Sequence, residues 1–273
     1  MPVTPFARER FELLRFERKL PLGAPLTIHT LTGSTNDDAL AAARAGAPHG
    51  ATFVAEQQSQ GRGRRGRPWF AANGESLLCS VLLRIPLPPA SISLLALAAG
   101  LAVREAVALA LPQFEEQGRV RVKWPNDVWV DGKKIAGVLA ESQVQGGALS
   151  AAVVGFGVNV MTTVFPDDIA HSATSLAELG GVTAREPLLI DALSALEARM
   201  QRLLAGGALA LAAELSQRDA LVGHKVRVEG TEGVASGIDD QGRLLLRLHT
   251  QEIVAIAAGT VELVASADYT EKK

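Results

Sequence analysis

A chain of 273 residues that is 48% hydrophobic and 21% charged carries enough apolar material for one large core, or one core and a small satellite domain. Its formal net charge of −2 excludes recruitment to nucleic acid or an anionic membrane by bulk electrostatics, so any affinity for anions must come from a local cluster. Cys79 is its single cysteine, which excludes a disulfide framework and an all-cysteine metal site; within SLLCSVLLRI it reads as a buried small hydrophobe.

Residues 1–25 are charged and lack the apolar run of a secretory signal, and they read as a short helical segment. Leu26–Thr32 reads as a strand. Ser34, Thr35 and Asn36 then offer cap-type side chains to a helix with Asp37 and Asp38 in its first turn and an alanine-rich body to Ala45. Thr52–Glu56 is a second strand, followed by a polar, glycine-rich loop from about Gln57 to Gly74, a length that marks functional loops. Strand Leu77–Ile85 precedes a largely buried helix over Ser91–Leu111. The longest apolar stretch, Ser91–Val103, meets Arg104 and Glu105 and is too short to span a bilayer, so no membrane partner is expected.

Arg119–Trp124 alternates as a strand with one apolar face. Val128–Val130, the Asp131-Gly132 turn and Lys134–Glu141 form a β-hairpin, and Leu149–Val160 is another apolar strand. Helices dominate from Ser175 to Asp219. Beyond Gly223, short strands at Lys225–Glu229, Gly233–Ile238, Arg243–His249, Gln251–Ala257 and Thr260–Val264 predict a small barrel of their own. The expected units are therefore 1–25, 26–220 and 221–273.

Gly61–Trp69, GRGRRGRPW, packs four arginines and three glycines into nine residues. Glycine lets a backbone approach a ligand closely, and arginine recognises carboxylate and phosphate oxygens with two parallel hydrogen bonds. The segment suits a multi-oxygen anion, though a solvated basic loop has the same composition. Gly61, Gly63 and Gly66 spell G-x-G-x-x-G, but no strand leads directly into them and no apolar helix follows, so the dinucleotide fingerprint is a decoy. A minor-groove arginine hook is a weak reading in a chain of negative net charge.

Lys123-Trp124-Pro125-Asn126-Asp127 is the second block. Pro125 should stop the strand and leave Asn126 and Asp127 projecting from its end. Lys134, beside Ile135, Val138 and Leu139, should be partly desolvated and attract anions strongly. In Gly155-Phe156-Gly157-Val158-Asn159, two glycines on one strand face leave a smooth channel, with Asn159 placed to hydrogen-bond its occupant. His29, His49, His171, His224 and His249 form no metal spacing and no triad. Glu56 and Glu141 are a candidate carboxylate pair at no fixed separation.

Together, Gly33–Asn36, Gly61–Trp69, Lys123–Asp127 with Lys134–Gly137, and Gly155–Asn159 resemble the signature blocks of biotin–protein ligases in order and separation. The resemblance runs from about Leu26 to the C-terminus. It implies an α/β (α+β) fold, a mixed β-sheet flanked by helices as in the class II synthetase-like catalytic domain of biotin and lipoate ligases, followed by an SH3-like barrel. It also implies two half-reactions: biotin and ATP-Mg2+ give biotinyl-5′-AMP and pyrophosphate, and a lysine of a biotin carboxyl carrier domain then takes the biotinyl group.

By the same resemblance Ser34, Thr35, Asn36 and Gln58, with backbone from Arg62, Gly63 and Arg64, would hold biotin, and Gly137, Gly155 and Gly157 would floor its pocket. Arg64, Arg67, Asn126, Lys134 and Asn159 would contact phosphate or adenylate, with Trp69 on the adenine. Lys134, Arg64, Arg67 and Asp127 would carry the chemistry, Lys134 bridging biotin's carboxylate and the α-phosphate, and Asp127 orienting Mg2+ or the incoming amine. Regulatory members carry an N-terminal winged helix-turn-helix; with about 25 residues before the first strand, the expectation here is a cytoplasmic enzyme without a DNA partner. A homodimer is left open. The alternatives are a lipoate–protein ligase, whose Arg-Arg-x-Ser-Gly-Gly-Gly stretch is missing, and a basic-loop nucleic-acid-binding module.

Overall fold

The computed structural model describes residues 4–182, 184–207 and 209–264. Helix α1 (Arg8–Glu17) leads into strand β1 (Leu26–Thr32), helix α2 (Thr35–Arg44) and strand β2 (Thr52–Gln58). Strand β3 (Ser76–Leu83), helices α3 (Ile92–Ala110) and α4 (Pro112–Glu115), and strands β4 (Val120–Lys123), β5 (Asp127–Val130), β6 (Lys133–Gln145) and β7 (Ala148–Asn159) follow. The chain continues through α5 (Asp167–Ala170), α6 (Arg185–Gly206) and α7 (Leu209–Arg218). It ends in β8 (Lys225–Val228), β9 (Thr231–Ile238), β10 (Leu244–Arg247), β11 (Ile253–Ile256) and β12 (Val261–Leu263).

Seven strands form one sheet in the order β1-β2-β3-β7-β6-β5-β4. β1 and β2 run parallel across the α2 connection and the other neighbours are antiparallel, so the sheet is mixed, as expected. Period-two alternation decides which helix each strand face meets. Leu77, Cys79, Val81 and Leu83 on β3, with Ala152, Val154, Phe156 and Val158 on β7, join the cluster built with α3 and α6. Leu82, Ala151 and Val153 point the other way, toward Ala39 and Ala43 of α2. Gly155 and Gly157 continue that second row, so the channel opens on the α2 side of the sheet.

Three local expectations change. Helix α3 matches the expected Ser91–Leu111 helix, but where the apolar stretch Ser91–Val103 reads as too short to span a bilayer, the whole 19-residue helix is long and apolar enough to do so. It is instead a core helix, buried against α6 and the sheet, and Arg104 is tolerated mid-helix because it donates to Val120 O at 2.9 Å and pairs with Glu115. The predicted Asp131-Gly132 hairpin is present, but its second strand runs beyond Glu141, because β6 continues to Gln145 and joins β7 through a Gly146-Gly147 turn where both residues adopt positive φ. The helical run from Ser175 resolves into α6 and α7 after a turn region; residues 183 and 208 within it, like 1–3 and 265–273 of the expected terminal units, lie outside the described residues.

All five predicted C-terminal strands are present, forming an antiparallel sheet in the order β11-β10-β9-β8-β12. It does not have a core to itself. Val226, Val228, Leu244, Leu246 and Val261 share one apolar cluster with Leu97 and Leu101 of α3, Val122 of β4, and Trp124. Trp124 is fully buried and its Nε1 donates to Gly242 O at 2.9 Å.

Asp219 lies at the junction, buried, with Oδ1 accepting from Leu221 N at 2.8 Å and Oδ2 without a partner among the described residues. Burial pushes its carboxyl up to about 6. A native carboxyl that keeps its proton to a higher pH than the unfolded chain favours folding most at low pH, and that advantage is lost as pH rises through about 6. Asp219→Asn should therefore be stabilising at pH 7 by roughly 1–3 kcal/mol, with the gain vanishing toward pH 4, in urea titrations across that range.

Candidate active site

The α2 face of the sheet carries a cavity whose wall begins at the helix start. Ser34 makes no capping hydrogen bond; the Thr35 amide instead donates to Gln58 Oε1 at 2.7 Å, because β2 ends alongside the first turn of α2. That corrects the simple N-cap expectation for Ser34 and leaves it, with Thr35, Asn36 and Gln58, lining the cavity. The Thr35 hydroxyl lies 3.1 Å from Gln58 Oε1 and 2.7 Å from Ser80 Oγ. Ser80 donates to Asn36 Oδ1 at 2.6 Å, while Asn36 Nδ2 donates to Glu141 at 2.6 Å. A buried polar network thus fixes the groups expected at biotin's ring end.

Glycines make room for this network. A Cβ on Gly155 would overlap Asn36 Oδ1, and one on Gly157 would lie 2.5 Å from Trp69 Cε2. Gly137, facing Gly157 across the β6–β7 ladder, likewise lies under the Trp69 ring. In this structure the smooth channel is therefore filled by Asn36 and Trp69. Trp69 forms a wall on the glycine floor, and its Nε1 is buried without a hydrogen-bond partner among the described residues.

The glycine–arginine segment is a closed strap. Gly63 N donates to Arg67 O at 2.7 Å, Trp69 N donates to Gly61 O at 2.9 Å, and Arg65 and Gly66 take the positive φ values of the tip. Its arginines diverge. Arg62 forks onto Asp37, with Nη2 at 2.6 Å, and this pairing is the main cause that lowers the Asp37 carboxyl. Arg65 pairs with Glu229 of the β8–β9 turn at 2.6 Å, and Arg67 Nη2 donates to Thr260 Oγ1 at 3.1 Å. These contacts argue against a free solvated loop. Arg64 lines the cavity with no salt bridge among the described residues; burial, reinforced by Arg65, pulls its guanidinium below the usual range.

Lys134 Nζ pairs with Asp127 Oδ1 at 2.7 Å and lies 5.3 Å from the centroid of the Trp69 ring. Asp127 does not project from a strand end as expected. It is in the ladder of β5, opposite Lys123 and Gly137, because Trp124-Pro125-Asn126 forms the turn of the β4–β5 hairpin. Asn126 lines the cavity and donates to Val138 O at 2.6 Å. Asn159 is also displaced from its expected place. It is buried outside the cavity wall with Nδ2 donating to Thr174 O at 3.0 Å, because the 174–177 turn packs across the end of β7.

Several residues at the site went unread in the sequence. Ser80 braces Asn36, as does Glu141, offered by the sequence only as a partner for Glu56; Lys123, quoted only as part of its block, faces the cavity. Gly259, Thr260 and Val261 also line it, brought from the C-terminal sheet. Glu56 and Glu141 are not a pair: Glu56 binds Arg185 and the Phe6 amide, whereas Glu141 binds Asn36 and Arg62. The buried thiol of Cys79 is pushed up by desolvation, in keeping with a packing role. Among the described residues no cluster of metal-ligating side chains exists, and Asp127 is the one carboxylate lining the cavity. A single carboxylate suits Mg2+ that arrives bound to nucleotide phosphates, since such sites take one or two carboxylates and fill the rest with phosphate and water.

Fold and site are those of an acyl-adenylate-forming ligase: cations and amide groups line the cavity, and among the described residues no histidine does. Residues 31–159 match the biotin/lipoate A/B protein ligase family, and residues 223–264 match the biotin protein ligase C terminal domain. The biotin--[acetyl-CoA-carboxylase] ligase of Mycobacterium tuberculosis is 39% identical over 87% of this chain and 89% of that protein. The bifunctional ligase/repressor BirA of Bacillus subtilis is 30% identical over 89% of this chain and 75% of its own length. The biotin protein ligase of Aquifex aeolicus in complex with biotin and ATP superposes with a TM-score of 0.74 at 26% identity, covering 89% of this chain and 100% of that one. The chain belongs to the biotin protein ligase family.

Gly155→Ala should drive Asn36 off Ser80 and Glu141 and so misplace Ser34 and Thr35. Calorimetry should show biotin affinity reduced by about tenfold or more, with overpacking costing roughly 1–3 kcal/mol of stability; wild-type affinity would show that the channel is not where biotin binds.

Proposed function

We infer that this chain is an ATP-dependent biotin–protein ligase that makes biotinyl-5′-AMP and passes biotin to a lysine of a biotin carboxyl carrier domain, as in acetyl-CoA carboxylase. The observation that carries this reading is the junction, in one cavity, of a polar cradle (Ser34, Thr35, Gln58) and glycine channel with the cations Arg64, Arg67 and Lys134. Biotin's ureido ring suits the cradle and the face of Trp69; its valerate carboxylate would reach toward Lys134.

Attack of that carboxylate on the α-phosphate brings two anions together. It forms one P–O bond and breaks the bridge to the β-phosphate, whose oxygen leaves with the electron pair in pyrophosphate. Lys134 and Arg64 neutralise the approaching oxygens and hold them in line. In the second half-reaction the carrier amine attacks the acyl carbon, an amide C–N bond forms, AMP leaves from the same carbon, and the amine loses a proton. No enzyme nucleophile is required, which accords with the groups present. Asn126 and Asp127 would meet the nucleotide and its Mg2+, and Asn159 would act only by supporting the Thr174 turn. The unit 26–220 would supply the reacting site and 221–273 its outer wall. Use of ATP and a single buried thiol fit work in the cytoplasm.

Incubation with α-labelled ATP should give a labelled adenylate with biotin and none with lipoate; lipoyl-AMP in place of biotinyl-AMP would overturn the assignment. Lys134→Ala should abolish adenylate formation, losing at least about a hundredfold in rate. Wild-type-like synthesis in that variant would remove Lys134 from the chemistry.

A further inference from the structure

Glu56, Arg185 and Glu186 form a buried charged group outside the cavity, and the chemistry above uses none of them. Arg185 opens α6, where the helix dipole and burial both disfavour a cation. Its partners explain its place. Arg185 Nη1 lies 2.7 Å from Glu56 Oε2 and 3.4 Å from Ser76 O. These acceptors belong to the two stems of the loop that bears the strap, since β2 ends at Gln58 and β3 begins at Ser76. The β2–β3 ladder stops at Ala55 opposite Leu78, so Arg185 joins the stems where the ladder no longer does. Two residues beyond Glu56, Gln58 Oε1 accepts from the Thr35 amide in the polar cradle. The N-terminal segment covers the pair. Phe6 N donates to Glu56 Oε1 at 2.6 Å, Ala7 N to Glu186 Oε1 at 2.7 Å, and Arg185 Nη2 to Thr4 O at 2.8 Å. The buried Phe6 ring has the guanidinium carbon 5.9 Å from its centroid.

We propose that Arg185 and Glu56 are positioning residues of the biotin site, a clasp that joins both stems of the strap loop and so sets Gln58 and the strap against Ser34 and Thr35. The inference rests on the ligase reading above for its ligand. A buried ion pair adds little net stability over an apolar pair of the same shape, and its best-attested use is to fix one arrangement. Here one planar guanidinium reaches a carboxylate on the first stem and a carbonyl on the second, a span that lysine does not match. Thr4–Ala7 keeps water from the pair, which strengthens it. Neither residue lines the cavity, so their effect passes through the stems.

Trypsin reads the strap directly, because cleavage after Arg62, Arg64 or Arg65 gives fragments of known mass. The double variant Glu56→Gln/Arg185→Met removes the clasp without leaving an unpaired buried charge. It should be cut in the strap about tenfold faster than wild type and bind biotin about tenfold more weakly by calorimetry. Arg185→Lys keeps the charge but not the span, and should show both effects at about threefold or more. It carries the test alone if the double variant fails to fold. Met200→Ala, a core change elsewhere on α6, should lower the urea midpoint without moving either readout. Wild-type biotin affinity in the clasp variants, with or without faster cutting, would overturn the proposal. So would changes that Met200→Ala reproduces at the same urea midpoint, which would reduce the pair to a structural one. Absence of biotin binding by the wild-type protein would instead overturn the ligase reading, while the cutting rates would still decide the clasp.

Discussion

Like charges gathered around a single carboxylate set the terms for this molecule. Arg64, Arg67, Lys123 and Lys134 face one cavity in which Asp127 is the lining carboxylate among the described residues. Such a gathering is costly without anions, because each partly desolvated cation raises the energy of its neighbours. The fold manages that cost locally. Lys134 takes Asp127, Lys123 and Arg67 take a carbonyl and a hydroxyl from the C-terminal sheet, and Arg64 is left facing the cavity with its guanidinium pulled below the usual range. A substrate pair that brings its own negative charge completes the arrangement.

That constraint also explains why the small C-terminal sheet is fastened to the larger unit. Its apolar residues share a core with α3, β4 and Trp124, which fixes the sheet as a rigid wall. On that wall Glu229 and Thr260 hold the tip and flank of the glycine–arginine strap. The Arg65–Glu229 pair is about half exposed on both sides, a setting in which an ion pair is worth little. The tip of the strap is therefore joined to the wall by a contact of little worth, and its base is fixed by the Arg62 fork onto Asp37.

Legibility in the sequence tracked how local each feature is. The strap, Ser34-Thr35, the Lys134 hairpin and the glycines at 155 and 157 were readable because their chemistry lies in short strings. The glycine pair was read as an open channel, yet its space is taken by Asn36 and Trp69, from segments far away in the chain. Asn159 was misplaced because its partner, Thr174 O, depends on a turn packing back across β7. Ser80 carries no signal within SLLCSVLL; only pairing against Gly155 of β7 sets it beneath Asn36. Thr260 meets Arg67 across 193 positions, a separation at which residue type says nothing. For the fold, strand alternation and turn residues located the sheets, and the helix read over Ser91–Leu111 is α3 to within one residue at each end, whereas the partners that let Arg104 be buried in it are tertiary and carry no local signal.

The central claim is that the cradle and the cations form one site whose two occupants depend on each other. Titration calorimetry with biotin, alone and with an ATP analogue that cannot be cleaved between the α- and β-phosphates, measures that dependence directly. Sub-micromolar biotin binding that tightens when the analogue is present is the expected result. Failure to bind biotin, or an affinity indifferent to the nucleotide, would contradict the account.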